Sequence, residues 1–191
     1  MTIKQSLYAA GLALALGGAF AAAPVPALAQ APQGQVLRYA FQGNLNTLDP
    51  YSLNETTTLS LQGNAYEGLT RRDRDLKIIP GLAERWEVLD NGLRWRFHLR
   101  RGVKFHNGED FTAEDVVFSA ARVRAQASDL RSRLDADVEV VAVDSHTVDF
   151  KLKQPNPILH YEWDTWYIMS KKWAEANNTV QPTSASATTP G

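Results

Sequence analysis

Strict alternation of apolar and polar residues predicts β-hairpins as the principal elements of this chain. From residue 93 to residue 100 the order is Leu-Arg-Trp-Arg-Phe-His-Leu-Arg, the period of a strand with one apolar and one basic face. The preceding Asn91-Gly92 supplies the positive φ angles of a two-residue turn, and residues 84–89 form the other strand. Residues 138–143 and 146–153 flank Asp144-Ser145 and predict a second hairpin.

Helical spacing marks three further segments. Residues 56–69 carry apolar side chains about one turn apart, which predicts a helix closed by Gly68. Thr112, followed three residues later by Asp115, forms a capping box that begins a second helix. Ser170 begins a short third helix that runs to Ala176. Helices interspersed with hairpins indicate an α/β chain of the mixed α+β kind.

Shorter segments lie between these elements. Residues 36–41 read as a short buried strand, and residues 43–50 as a loop. Residues 71–75 form a charged turn, and residues 103–105 form a further extended piece. Residues 179–191 are rich in Thr, Ser and Ala without periodicity, so we expect a flexible or truncated tail after a folded region at 30–178.

The first 29 residues have the pattern of a secretory signal peptide. Lys4 supplies a positive start, residues 7–23 are almost wholly apolar, and Ala27-Leu28-Ala29 is a small-x-small cleavage site. We therefore expect cleavage after Ala29 and export to the periplasm. The alternative is a membrane anchor, but the run is at the short end of what spans a bilayer and prolines follow it.

Composition narrows the possible functions. The 191-residue chain is 44% hydrophobic and 21% charged, as is usual for a globular protein. Its net charge of -1 and pI near 6.4 give no support for nucleic-acid binding, because proteins that bind nucleic acid usually carry an excess of basic residues. The absence of cysteine excludes disulfides, thiolate metal sites and cysteine nucleophiles.

Candidate chemistry is sparse. The four histidines lack the spacing of a metal site, and the adjacent Glu114 and Asp115 do not face each other on a helix. The sequence contains neither a nucleophile elbow nor a phosphate-binding glycine loop. Trp163 and Trp166 are at a spacing more typical of core than of a ligand platform. We therefore expect no catalytic residues, no metal and no cofactor.

The order of motifs resembles that of a known family. The segments GLAERWEV at 81–88, FHLRRGVKFHNG at 97–108 and FTAEDVVFS at 111–119 carry the likeness, and DSHTV at 144–148 adds to it. Over residues 36–173 the chain resembles the bacterial periplasmic solute-binding proteins of the dipeptide/oligopeptide class, extracellular family 5, which serve ABC importers. Family members are much longer, so the resemblance implies the N-terminal portion of such a protein.

The resemblance implies a partial first lobe of a type II-like periplasmic binding fold, with peptide or similar small solutes as ligands and permease subunits as partners. In the family the loop after the first strand lines the cleft; here it comprises Gln42, Gly43, Asn44 and Leu45. Gly43 permits close approach of a second backbone, so the loop can pair with a peptide, although an ordinary loop fits equally well. The family's acidic anchor for a peptide amino group lies in a part that this chain lacks.

Alternatives to a binding protein remain at this point. One is a small exported hydrolase, and another is a short exported adaptor that docks through basic residues. The candidates for such docking are Arg71, Arg72 and Arg74 and the segment 94–101, whose ordinary role is a solvated face. The ligand itself is open among a dipeptide, a longer peptide, a glutathione-like compound, a metal chelate and an opine.

Overall fold

The computed structural model describes residues 40, 42–43 and 45–182. The chain divides into two compact units, Met1–Phe41 and Gln42–Gly191, and the helices and strands described belong to the second. The predicted signal peptide lies outside the described residues, and so does the strand predicted at 36–41 apart from Ala40. No helix in the described part of the chain is long and apolar enough to cross a bilayer.

A four-stranded antiparallel sheet organises the second unit. Its order is β3-β4-β6-β5, and its strands are β3 Ala83–Leu89, β4 Arg94–Leu99, β5 Glu139–Asp144 and β6 Thr147–Lys151. The two predicted hairpins are therefore present, and they join through β4 and β6. Trp95 pairs with Phe150 across this junction and Phe97 pairs with Val148, so the apolar faces of the two hairpins form one buried surface.

The turn between β3 and β4 differs from the two-residue turn that we predicted. Leu89 pairs with Arg94, so four residues form the loop, and a 3₁₀ turn spans Asp90–Gly92. Gly92 has a φ of 89°, which confirms the positive angle expected there. Leu93 leaves the strand because its amide donates to the Asp90 carbonyl at 3.2 Å.

A small second sheet includes the first two residues of the predicted charged turn at 71–75. Strand β1, Thr70–Arg72, pairs antiparallel with β2, Ile78–Pro80. Arg71 and Arg72 thus belong to a strand, and the turn lies at residues 73–77. The sequence pattern did not reveal the pair because each strand has only three residues, too few for an alternation to show.

The first helix is shorter than predicted. Helix α1 is Thr56–Gln62, whereas helical spacing suggested continuation to residue 69. Gly68 instead bridges to Tyr167, and a Cβ at Gly68 would lie 1.9 Å from the Trp163 carbonyl oxygen. The chain is extended there because only glycine lets the two backbones approach so closely.

Helix α2, Ala113–Val123, packs on the sheet beside β5 and β6. Its capping box between Thr112 and Asp115 is present as predicted. The apolar side of the helix is fully buried at Val116, Ala120 and Val123. The helix therefore begins at the predicted cap and covers one face of the second hairpin.

Two short helices follow the sheet, α3 at Leu159–Glu162 and α4 at Lys171–Ala176. The Ser170 hydroxyl accepts the Trp173 amide at 3.1 Å and caps α4. This cap confirms the predicted helix that begins at Ser170, and α4 ends at Ala176 as expected.

Aromatic side chains fill the space under the sheet. Trp163 and Trp166 are both 0% exposed, and their ring centres stack at 3.7 Å. Trp163 also meets Phe97 and Phe150 edge to face. The two tryptophans are therefore core residues, as their spacing predicted, and not a platform for ligand.

Candidate ligand-binding surface

The predicted ligand loop lies at the start of the second unit. Gln42 and Gly43 are exposed, Leu45 is 44% exposed, and Asn44 lies outside the described residues. The described residues of the loop are thus accessible to solvent.

The chain is fixed immediately after this loop. The Gln62 side-chain amide, at the end of α1, donates to the carbonyls of Thr47 and Asp49 at 3.1 and 3.0 Å. All three residues are buried. The exposed loop is therefore joined to an anchored segment.

A buried ion pair strengthens this anchor. Both Asp49 carboxylate oxygens accept hydrogen bonds from Arg122, at 2.7 and 2.6 Å, and both side chains are 0% exposed. The Arg122 guanidinium also lies 5.0 Å from the centre of the Tyr51 ring, and its Nε donates to the Thr179 carbonyl at 3.2 Å. Thr179, the first residue of the expected tail, is itself buried. Arg122 therefore ties residue 49 to residue 179 through helix α2.

An apolar groove opens beside Leu48, three residues beyond the loop. It has a volume of about 440 Å³, and aromatic rings of Tyr66, Phe105 and Trp173 line it together with His106. The Tyr66 hydroxyl donates to the Leu48 carbonyl at 3.1 Å. The wall formed by Tyr66 is therefore held in place against the segment that follows the loop.

The chemistry of the groove suits binding of an apolar or aromatic group. The Ser170 hydroxyl on the wall of the groove is already engaged in hydrogen bonds, because it donates to Glu109 at 2.9 Å and accepts the amide that it caps at the start of α4. A smaller recess of about 80 Å³ shares residues with the groove and adds Leu82, Phe111 and Met169. Such an arrangement offers a ligand a large apolar contact area but few polar groups that would fix the orientation of the ligand.

The histidines do not converge. His98 pairs with Glu87 at 2.8 Å, and His160 stacks against Trp86 and Trp95, where burial lowers its pKa. Among the described residues, no group of three or more His, Asp or Glu side chains could hold a metal ion.

The basic face of β4 is paired and partly buried, whereas a solvated face was expected. Arg96 makes two hydrogen bonds of 2.7 Å to Asp149, and Arg94 contacts the same carboxylate at 3.4 Å. Asp149 is almost fully buried, and it lies opposite Arg96 in the register of β4 and β6. The hydrogen bonds from Arg96 lower the pKa of Asp149 below its usual range.

A comparison with protein families decides what kind of protein this is. A model described as "Bacterial extracellular solute-binding proteins, family 5 Middle" matches residues 77–189, more than half of the chain. The chain belongs to this family. The expected resemblance is thereby confirmed, over the region that holds the motifs at 81–119 and 144–148.

Curated relatives match this chain over part of their own length. It is 32% identical over 171 residues to the probable deoxycholate-binding periplasmic protein YgiS of Escherichia coli (strain K12), covering 80% of this chain and 30% of YgiS. It is 38% identical over 143 residues to the glutathione-binding protein GsiB of Salmonella choleraesuis (strain SC-B67), covering 74% of this chain and 27% of GsiB. The chain thus spans less than a third of the length of these relatives.

Solved structures of binding proteins share the fold. The chain superposes on Haemophilus influenzae OppA, solved in complex with RPPGFSPFR, with a TM-score of 0.65 and 27% identity over 69% of this chain and 30% of OppA. For AgaA of A.tumefacien R10 with agropinic acid the TM-score is 0.66 and the identity 28%, over 71% of this chain and 28% of AgaA. The expected mixed α+β fold of a type II periplasmic binding protein is confirmed.

The sequence pattern did not reveal the groove or the Asp49–Arg122 pair. The groove joins residues 48, 66, 105 and 173, which no local pattern connects. The pair had one signal: Asp115, Ser119 and Arg122 are buried along one side of α2, at the helical spacing of a polar stripe. An arginine in such a stripe needs a buried partner, but only the tertiary structure identifies Asp49 as that partner.

Proposed function

We propose that this chain is part of the substrate-binding component of an ABC importer, which binds peptides or similar small solutes in the periplasm and delivers them to the permease subunits. Membership of family 5 carries the proposal. Support also comes from the fold that the chain shares with OppA and with Helicobacter pylori DppA, both solved in complex with peptides. The protein is not an enzyme on this proposal, because the solute is held by enclosure and leaves unchanged.

The proposed contribution of this chain to the ligand site is the loop at 42–45 with the adjacent groove. Gly43 leaves room for a second backbone, so the loop pairs with the main chain of a peptide without reading its side chains. The groove beside Leu48 takes an apolar side chain against the rings of Phe105 and Trp173.

Export by a cleaved signal peptide belongs to this proposal. The Ala27-x-Ala29 pattern follows an apolar run, so cleavage after Ala29 leaves Gln30 as the first residue. N-terminal sequencing of periplasmic material should begin at Gln30 or its cyclised form. Periplasmic protein that still begins at Met1 contradicts the cleavage site.

Uptake in the host organism tests the function. Disruption of the gene should abolish uptake of labelled peptides at micromolar concentration, and the intact gene should restore it. Gly43→Val and Trp173→Ala should each restore uptake poorly, whereas the control Lys153→Ala, at an exposed residue outside the loop and groove, should restore it fully. Unchanged uptake of di-, tri- and oligopeptides and of glutathione after disruption would show that peptides are not the solutes.

A further inference from the structure

One edge of the four-stranded sheet is a strand that is paired on one side only. Strand β3 has seven residues, and among the strands that the structure describes it pairs with β4 alone. The Ala83 amide donates to the Leu69 carbonyl at 3.0 Å, so the start of β3 is covered. Residues 84–89 are each exposed or half-buried. An open edge of this length is a template for pairing with another chain.

The register shows which backbone groups point out from this edge. The Arg100 amide donates to the Leu82 carbonyl at 2.8 Å, so the even-numbered residues of β4 direct their backbone groups toward β3. Their partners in β3 are residues 85, 87 and 89. The amides and carbonyls of Trp86 and Val88 therefore point away from β4, and no other backbone group in the described part of the chain pairs with them.

The charges along the edge are complementary to a second copy of the same strand. Arg85 and Glu87 flank Trp86, and their side chains are 57% and 42% exposed. When two copies of β3 run antiparallel with Trp86 at the two-fold axis, Arg85 of each copy lies opposite Glu87 of the other. The exposed ion pair that these two residues form within one chain is exchanged for ion pairs between chains at little cost.

We infer that the β3 edge is an interface between two copies of this chain, in which β3 pairs antiparallel with β3 and joins two four-stranded sheets into one. The alternation of charge sign selects this occupant, because an unrelated extended peptide would have to carry the same order of charges. The half-buried ring of Trp86 meets its counterpart at the centre, as in aromatic cross-strand pairs. The inference rests on the edge alone and does not depend on the proposed function.

The opposite edge of the sheet lacks this complementarity. The only charged residues of β5 are Glu139 and Asp144, so two copies that paired there would bring carboxylates together without any cation of the strand. Of the two edge strands that the structure describes in this sheet, β3 is thus the one that suits a second copy.

Sedimentation of the protein as its host produces it tests the inference. Wild type should dimerise reversibly with a dissociation constant of about 10–100 µM, since one pair of strands buries a small area. Arg85→Glu places carboxylates opposite carboxylates, and Glu87→Arg places guanidiniums opposite guanidiniums. Each variant should dimerise about tenfold or more weakly than wild type. Arg131→Glu, at an exposed residue outside the sheet, is the matched charge control and should dimerise normally.

A mixture of the two variants separates this arrangement from a general effect of charge or of misfolding. Between an Arg85→Glu chain and a Glu87→Arg chain, both facing pairs are again of opposite sign. The equimolar mixture should therefore associate about as tightly as wild type, although each variant alone stays monomeric. Because Glu87 also pairs with His98, the melting temperature of each variant is measured in parallel.

The cysteine-free sequence allows the register to be read directly. Facing residues 85 and 87 form a pair without mutual backbone hydrogen bonds, with Cα atoms about 4.5 Å apart, a separation that a disulfide spans. Oxidation of a mixture of Arg85→Cys and Glu87→Cys chains should give a covalent dimer, and each variant alone should not. Leu61→Cys, at a residue 46% exposed on α1, gives the background of random cross-linking.

Any of three results would overturn the inference. The first is a wild type that remains monomeric at about millimolar concentration. The second is dimerisation that Arg85→Glu and Glu87→Arg leave unchanged, or that their mixture does not restore. The third is a mixture of the two cysteine variants that cross-links no more than Leu61→Cys.

Discussion

At the scale of single residues, Gly92 carries a backbone requirement that can be measured. Its φ is 89°, and a Cβ there would lie 3.1 Å from the Cβ of Pro155. Gly92→Val should therefore lower the free energy of unfolding by about 1 kcal/mol or more. Gly102→Val is the control, because Gly102 also has positive φ (71°) but nothing near its missing Cβ. Urea unfolding should show the larger loss at Gly92; an unchanged midpoint there contradicts the turn geometry.

The Asp49–Arg122 pair gives a second prediction at this scale. Arg122→Met leaves the Asp49 carboxylate buried without its ionic partner, so it should cost about 3–5 kcal/mol of unfolding free energy. Lys151→Met breaks the exposed pair with Glu139 and should change the free energy by less than about 1 kcal/mol. Similar losses for the two variants in urea unfolding would show that the buried pair does not hold residues 49 and 179 together.

At the scale of elements, the junction of β4 and β6 predicts a dependence on pH. Arg96 lowers the pKa of Asp149 in the folded chain, whereas the unfolded carboxyl titrates near its ordinary value of about 3.9. The pair therefore stabilises the fold fully above about pH 4, and its contribution is lost as pH falls through the lower folded pKa.

Asp149→Asn tests this contribution. The variant should be less stable than wild type by about 1–3 kcal/mol at pH 7, and the difference should shrink as pH falls below about 4. Urea unfolding between pH 3 and pH 7 measures it, with Glu139→Gln at an exposed ion pair as the control. If the difference in unfolding free energy between wild type and Asp149→Asn stayed constant over this pH range, the stabilising contact between Arg96 and Asp149 would not depend on the charge of the carboxylate.

At the scale of the whole molecule, the second unit presents an open surface. Its groove of about 440 Å³ lies at the surface, and the chain spans only 30% of the relative YgiS. Small-molecule sites normally bury most of the surface of the ligand, whereas an open groove leaves one side of the ligand in contact with water. We therefore expect the isolated chain to bind peptides no more tightly than roughly millimolar.

Isothermal titration of residues 30–191 with di- and tripeptides checks this expectation. Trp173→Ala should abolish whatever weak binding of apolar peptides remains, since the indole lines the groove, and Leu61→Ala on α1 should leave it unchanged. Micromolar binding by a monodisperse monomer would mean that this chain forms a sufficient binding module by itself.

The sequence alone determined the elements whose signals are local. The alternation in β4 and around Asp144-Ser145, the capping box of Thr112 and Asp115, and the cap at Ser170 each act within a few residues, so the pattern specified them. The motifs at 81–119 likewise indicated family 5, and with it the fold, through the order of their residues alone.

Only the tertiary structure decided the features that join distant residues. Helix α1 ends at Gln62 although helical spacing continues to residue 69, and the chain at Gly68 instead bridges to Tyr167 and approaches Trp163 closely. Asp149 neutralises Arg96 through strand pairing, and Asp49 meets Arg122 across 73 positions of sequence. Such contacts form only when the helices and strands pack together, and burial strengthens the electrostatic interaction between the paired charges. The periods of two and 3.6 residues describe single strands and helices, so they do not predict contacts between distant segments.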